Sequence, residues 1–357
     1  MRTGEELIKM LLTKMKRIIA VVVICAVLLT ALPACGGGQL KAGKKISPAV
    51  VIMSMFEIGE LTGDFPGEAQ LFYEEYFSDP DIYNITGEPF GCTLYVQGDV
   101  GLCLLGQGKA AAAINTAALL CDERFDFSDS MFLVAGCAGS SKEHGVVGDV
   151  YIVTSTVDYD LGHTADVREL SDESVPLWFR TAEYDGIGYH QLDQRLSDLA
   201  YELTKDISLR TTDDARACMA RNFDNADWAV RDPKVSKGTS VTSDDYWKGE
   251  YNHQKAVYIA EEYQTPDPYA ATVMEDTAIV CAFEKLGMQD QLMIIRASVN
   301  MDVFIDGQTP ESLWGGADKV SENAFDGLTD IFSVSMENCF NVGKTIIEAI
   351  REGEFQQ

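Results

Sequence analysis

Apolar runs of strand length alternate with helix-length segments along almost the whole chain, and several end in clusters of small residues. Residues 49–55, 131–135 and 149–156 read as buried strands, being apolar with little polar alternation. Residues 93–96 and 101–105 read as a strand pair turned at Q-G-D-V-G. Further strands are expected at 234–241 and 292–299. Helices are expected at 68–76, 109–121, 191–205, 273–286 with Gly287 as the stop, and 338–351. With 357 residues, 46% of them hydrophobic, the chain has enough apolar side chains for a large core. The order predicts one α/β domain, a mixed twisted central sheet surrounded by helices, without internal repeats.

Ligands of open α/β sheets sit at the carboxyl ends of strands, so the small-residue clusters there are the first places to look. G-Q-G-K-A-A-A-A (106–113) joins a strand to a helix, but Cys103 and Ala110 stand where a nucleotide-binding Walker A loop needs Gly and Ser or Thr. V-A-G-C-A-G (134–139) reads as a tight turn closing a buried strand. D-D-Y-W-K-G (244–249) sets two aromatics beside acids, suited either to stacking on a flat ring or to core packing. In T-V-M-E-D (272–276), Thr272 and Glu275 have the spacing of a capping box. The apolar helix that follows also places Glu275 in the interior, where a carboxylate needs a partner and a ligand is one option.

The formal net charge is −28, which excludes a phosphate-backbone partner, since nucleic-acid binding draws on clustered Lys and Arg. At the N-terminus, Lys14, Lys16 and Arg17 precede an apolar run at 18–32 that ends in L-P-A-C, the pattern of a secretory signal. The ending resembles a bacterial lipobox, in which Cys35 becomes the lipidated first residue. The expected organisation is therefore a lipoprotein signal peptide at 1–34, a flexible tether at 35–47 and one domain at 48–357. The expected location is the extracytoplasmic face of a bacterial membrane, held by the lipid alone. The remaining seven cysteines, widely spaced and mostly inside apolar runs, read as buried thiols. The four histidines lack metal-ligand spacing, so neither a metal nor another cofactor is expected.

M-F-E-I-G-E-L-T-G-D-F-P-G-E-A-Q (55–70), G-Q-G-K, A-G-C-A-G, G-D-V (148–150), D-Y-D-L-G-H (158–163), V-T-S-D-D-Y-W-K-G, V-M-E-D and I-R-A-S-V-N-M-D (295–302) occur here in a fixed order. In these motifs the chain, from about 52 to 314, resembles the purine nucleoside permease family, which belongs by fold to the nucleoside phosphorylase superfamily. The resemblance implies a purine nucleoside as ligand. It makes Met274 and Glu275 the ribose contacts, and Tyr246, Trp247 and Asn300 the border of the base. Gly108, Gly136 and Ala138 become places where backbone approaches the ligand. Relatives carry aspartate where Asn300 stands. An amide cannot transfer a proton, so Asn300 leans toward 6-oxopurines, with Asp302 as a nearby acid. Related phosphorylases bind phosphate through G-D-P-x-R-A, but this chain has G-D-F-P-G-E-A, with Glu68 in place of an arginine and no Lys or Arg between Lys45 and Lys109. Phosphate as co-substrate would rest on backbone N–H groups, Lys109, Arg168 or Arg296; with water instead, Glu57 or Glu60 would be the general base. Two functions remain open: cleavage of the N-glycosidic bond, by phosphorolysis or hydrolysis, and non-catalytic capture for a separate membrane transporter. A homo-oligomer is expected by analogy with phosphorylases.

Overall fold

The computed structural model describes residues 44–355 apart from 88, 90, 170, 173–177, 180–183, 185, 306–307 and 311–328. The signal-like segment, Cys35 and most of the tether lie outside them. The compact unit is Ile46–Gln357. Ile46 already pairs with Phe125, so chain expected to be tether joins the fold at that point.

The strands are β1 (Val50–Ser54), β2 (Asp81–Asn84), β3 (Thr93–Gln97), β4 (Val100–Leu104), β5 (Met131–Ser140), β6 (Val150–Asp158), β7 (His163–Thr164), β8 (Trp178–Phe179), β9 (Tyr189–Gln191), β10 (Val235–Thr242), β11 (Tyr269–Val273) and β12 (Leu292–Met301). The α-helices are α1 (Gln70–Tyr76), α2 (Lys109–Leu120), α3 (Gln194–Thr204), α4 (Asp213–Asn222), α5 (Asp227–Val230), α6 (Glu250–Glu262), α7 (Asp276–Leu286) and α8 (Thr329–Arg351). Ten strands form one mixed sheet in the order β11-β10-β6-β12-β5-β1-β4-β3-β2, with β9 beside β6. β11 also pairs antiparallel with the end of β5, through Ala271 with Ser140 and Thr272 with Gly139. That pairing closes β5, β12, β6, β10 and β11 into a ring, from which β1, β4, β3 and β2 extend as a wing.

Both faces of the central strands are covered, which accounts for their continuous apolar runs. Val50, Ile52, Leu133 and Ile295 face a cluster built with Phe332, Met336, Val342 and Ile346 of α8. Val51, Met53, Phe132, Val134 and Ile294 face another, built with Leu119 of α2 and Ile279, Val280 and Phe283 of α7. The expected mixed sheet with surrounding helices is what the chain forms.

Two local expectations give way to tertiary pairing. V-A-G-C-A-G is not a turn: β5 runs through it to Ser140, because β12 hydrogen-bonds alongside from Leu292 to Met301. The capping box fails as well. Thr272 lies within β11, held by β10 and β5, so α7 begins only at Asp276, and Glu275 stands at its N-cap position without a side-chain cap bond.

Candidate functional site

A cavity of about 300 Å³ opens at the carboxyl ends of β5, β11 and β12. Its wall is formed by Met55, Phe56, Glu68, Gln107, Cys137, Ala138, Gly139, Asp245, Tyr246, Trp247, Thr272, Val273, Met274, Glu275, Arg296, Val299, Asn300 and Asp302. An apolar wall with a few converging polar groups is the form of a small-molecule site.

Arg296 organises the charged side of the cavity. It projects from β12 opposite Gly136 and is 1% exposed. Its Nε and Nη2 donate to Asp276 Oδ1 at 3.0 and 2.5 Å, and Nη2 reaches Glu275 Oε2 at 3.4 Å. On the other side, Nη1 lies 3.9 Å from Glu68 Oε1. The guanidinium thus stands between Glu68 and Glu275 and offsets the cost of burying them. Glu275 Oε1 accepts from the Gly108 N–H at 3.0 Å, where Gly108 takes φ = +83°, a conformation glycine adopts without a Cβ penalty. Burial pushes the Glu275 carboxyl up to about 7 against the pull of Arg296, and nearby Glu68 adds to the rise. Glu68 accepts from the Met55 N–H and the Cys137 N–H, each at 2.7 Å. Burial also holds it above the usual carboxylate range, despite Arg296 and those two bonds.

A second part of the wall is set by an irregularity in β12. Ser298 pairs with Ala138 and Asn300 with Gly139, so Val299 is an extra residue on β12. Such a bulge re-aims the side chains that follow, and both Val299 and Asn300 line the cavity. Asn300 Nδ2 donates to the Tyr246 hydroxyl at 2.7 Å. Tyr246 is 48% exposed at the mouth. Trp247 is largely buried, and its ring stacks on Tyr159 at 5.0 Å, so core packing takes one face of the indole. The Trp247 Nε1–H has no acceptor among the described residues. Asp302 is sealed against His253 and Tyr269, with Oδ2 accepting from His253 Nδ1 at 2.6 Å and the Tyr269 hydroxyl at 2.8 Å.

Of the residues singled out in the sequence, Met274, Glu275, Tyr246, Trp247, Asn300, Asp302 and Ala138 come together on this wall. Glu57 does not. Its carboxylate accepts from the backbone N–H groups of Ile58, Gly67, Ala69 and Gln70, fixing the loop that enters α1, so its lone pairs are committed away from the cavity. Gly108 and Gly136 are also absent from the wall, where Gln107 and Gly139 stand instead. Gly136 clears space for protein: a Cβ there would meet Glu68 Oε1 at 2.5 Å and Arg296 Nη1 at 2.7 Å. Glu68 lines the wall although the sequence puts forward no site role for it; its signal is an acid where phosphorylases carry a base.

The phosphate candidates are committed elsewhere. Lys109 Nζ bridges Asp158 and Asp160 at 3.0 and 2.8 Å. Arg168 pairs with Asp166 and is exposed, and neither lysine nor arginine of these two lines the cavity. Among the described residues on the wall, Arg296 is the only cation, and its ion pairs with Glu275 and Glu68 engage it from both sides.

The mixed sheet surrounded by helices is a nucleoside phosphorylase-like fold. Among solved structures, the chain resembles the 5'-methylthioadenosine/S-adenosylhomocysteine nucleosidase of Neisseria meningitidis, with TM-score 0.50 and 19% identity over 84% of this chain and 98% of that one. It also resembles the futalosine hydrolase of Helicobacter pylori, with TM-score 0.51 and 14% identity over 85% and 97%. Identities this low show a shared fold. The chain belongs to the purine nucleoside permease family, whose model matches residues 47–354. Curated relatives include a Schizosaccharomyces pombe protein named "Probable purine nucleoside permease", 25% identical over 275 residues, covering 69% of this chain and 74% of the relative. Another, from Candida albicans, is 26% identical over 264 residues, covering 69% and 62%. Among the described residues, no helix is long and apolar enough to cross a membrane.

Proposed function

We propose that this protein binds purine nucleosides and cleaves their N-glycosidic bond with water as the acceptor. The observation that carries this is the charge pattern of the cavity: Arg296 is already engaged by Asp276, Glu275 and Glu68, and it is the only cation among the described wall residues. A phosphate dianion brought there would meet the carboxyl groups of Glu68, Glu275 and Asp245 without an unengaged cation on the described wall, a repulsion a neutral water does not suffer. Glu275 accepts from the ribose hydroxyls, and its negative charge favours a sugar that becomes cationic as the C–N bond lengthens. Glu68, buried and held above the usual carboxylate range, takes the proton of the attacking water. Met274 packs on the sugar, Tyr246 borders the base, and the Asn300 amide reads the base edge with a leaning toward 6-oxopurines.

A second reading has one specific support. The family and its curated relatives carry the name permease, although no described helix is long enough to span a bilayer. The cavity would then capture nucleoside for a separate transporter. Under either function, Cys35 is assigned as the lipid-bearing residue on the extracytoplasmic face. Mass spectrometry of the mature N-terminus tests that assignment.

The deciding experiment is chromatography of free base released from inosine, guanosine and adenosine by the purified protein, with and without phosphate. Release that phosphate does not accelerate supports hydrolysis. Release that requires phosphate overturns it, and tight binding without release moves the capture reading into first place.

A further inference from the structure

We propose that Gln107 reads the far end of the sugar, its amide taking the 5'-hydroxyl, so that the cavity prefers nucleosides that keep this hydroxyl over their 5'-deoxy analogues. This rests on the reading above, in which Glu275 holds the ribose. Most polar side chains on the wall are committed. Glu68 accepts from two backbone N–H groups, Arg296 is paired with Glu275 and Asp276, and Asn300 donates to Tyr246. Asp302 is closed off by His253, Tyr269 and the Lys142 N–H. The side chains of Gln107, Asp245 and Thr272 have no hydrogen-bond partner among the described residues. Their neighbours sort these three. Thr272 lies opposite Gly139, where Asn300 also closes in, and Asp245 directly precedes Tyr246, so both belong with the Asn300–Tyr246 pair. Gln107 directly precedes Gly108, whose N–H donates to Glu275 Oε1 at 3.0 Å, which sets its amide beside the carboxylate that takes the sugar.

The backbone that carries Gln107 is fixed on both sides. Gly106 and Gly108 turn the chain with φ of +81° and +83°, the Gly106 N–H donates to the Met55 carbonyl at 3.0 Å, and the Lys109 N–H donates to Asp244 Oδ1 at 2.7 Å. The side chain is exposed at the mouth and has only its own rotamers to lose when it engages a ligand. Glu275 takes the adjacent 2'- and 3'-hydroxyls. The 5'-hydroxyl, on a one-carbon arm at the neighbouring ring carbon, is then the one polar substituent of the sugar still in need of a partner. A primary amide both donates to and accepts from a hydroxyl, so it satisfies that group in either orientation. Water reaches Gln107 when the hydroxyl is missing, which limits the preference to about ten-fold, below that of a sealed polar site.

The test measures kcat/KM for release of hypoxanthine from inosine and from 5'-deoxyinosine by the full chain, as wild type and as Gln107→Met, which keeps the length of the side chain and removes the amide. Wild type should favour inosine about ten-fold, and Gln107→Met should bring the ratio of the two substrates to near one. The loss should fall on KM for inosine with kcat little changed, as for a contact made equally before and during bond cleavage. A wild type that treats the two nucleosides alike overturns the proposal before any substitution is made. So does a ratio that survives in Gln107→Met, including an equal loss on both substrates, which would mark a role in loop structure alone. If wild type releases no base from either nucleoside, the hydrolytic reading fails separately, and the same ratio read as Kd by calorimetry decides on Gln107. A chain that binds neither nucleoside overturns both.

Discussion

Gly136 stands opposite Arg296 in the β5–β12 ladder, and a Cβ at that position would lie 2.7 Å from Arg296 Nη1 and 2.5 Å from Glu68 Oε1. Neither group can retreat, since both are buried and bonded on their far sides. Gly136→Ala should therefore cost about 1–3 kcal/mol, the range of overpacking in a dense core. Base release should fall with it, because Glu68 is displaced. Denaturant unfolding and kcat/KM check the pair of effects, and a stable variant of full activity would show that the space is spare.

Removing the guanidinium should be worse than crowding it. Arg296→Met leaves Glu68, Glu275 and Asp276 buried without a counter-charge, and breaking such a pair costs about 3–5 kcal/mol. Arg296→Lys should recover little, because an ammonium cannot span Asp276 and Glu275 as the planar fork does. Thermal unfolding of both variants is the measurement.

Glu275 gives a pH signature in two opposite directions. Nucleoside binding needs the carboxylate, so affinity should strengthen as pH rises through about 7 and lose that dependence in Glu275→Gln. Stability should run the other way. The folded-state value is raised from 4.5 to about 7, so between them the folded protein binds more protons than the unfolded chain. The contribution of this group is complete below pH 4.5 and is lost as pH rises through about 7. Urea midpoints across that window, wild type against Glu275→Gln, isolate it.

Asn300→Asp should raise turnover of adenosine relative to inosine, since the new carboxyl can carry a proton to the base while the Tyr246 hydroxyl, now an acceptor from Asn300, turns to donate to it. An unchanged substrate ratio would remove Asn300 from base reading.

Glu57→Ala separates a structural from a chemical role for this carboxylate. If the carboxylate serves the loop before α1, unfolding free energy should drop by about 2 kcal/mol, in the range of charged hydrogen bonds, and nucleoside binding should weaken through Met55 and Phe56. A large loss of kcat at full stability would return Glu57 to the chemistry.

The strands and helices were legible because burial on both faces leaves continuous apolar runs, as in Val50–Ser54 and Val150–Asp158. The site was legible in its members, Glu275, Asn300 and Asp302, more than in their geometry. Local rules misled where a distant strand intervened. Gly136 and Gly139 look like parts of a turn in one dimension, yet they are strand residues kept small by Arg296 beside the first and by Thr272 and Asn300 beside the second. Thr272 and Glu275 have capping-box spacing, but β10 and β5 hold Thr272 extended. Glu57 and Glu68 are both acids near one loop; only the backbone path decides which carboxylate faces the cavity.

The closure of β5, β12, β6, β10 and β11 separates two kinds of change that this family can accept. A closed ladder offers no free border along which a strand can slip, so the offset that sets Asn300 beside Gly139 is locked by pairings on all sides. Phe56, Gln107 and Tyr246 enter from segments outside the ring and carry none of that constraint. New ligand preferences can accordingly be grafted at the rim by exchanging loops, while the paired strands beneath stay in place.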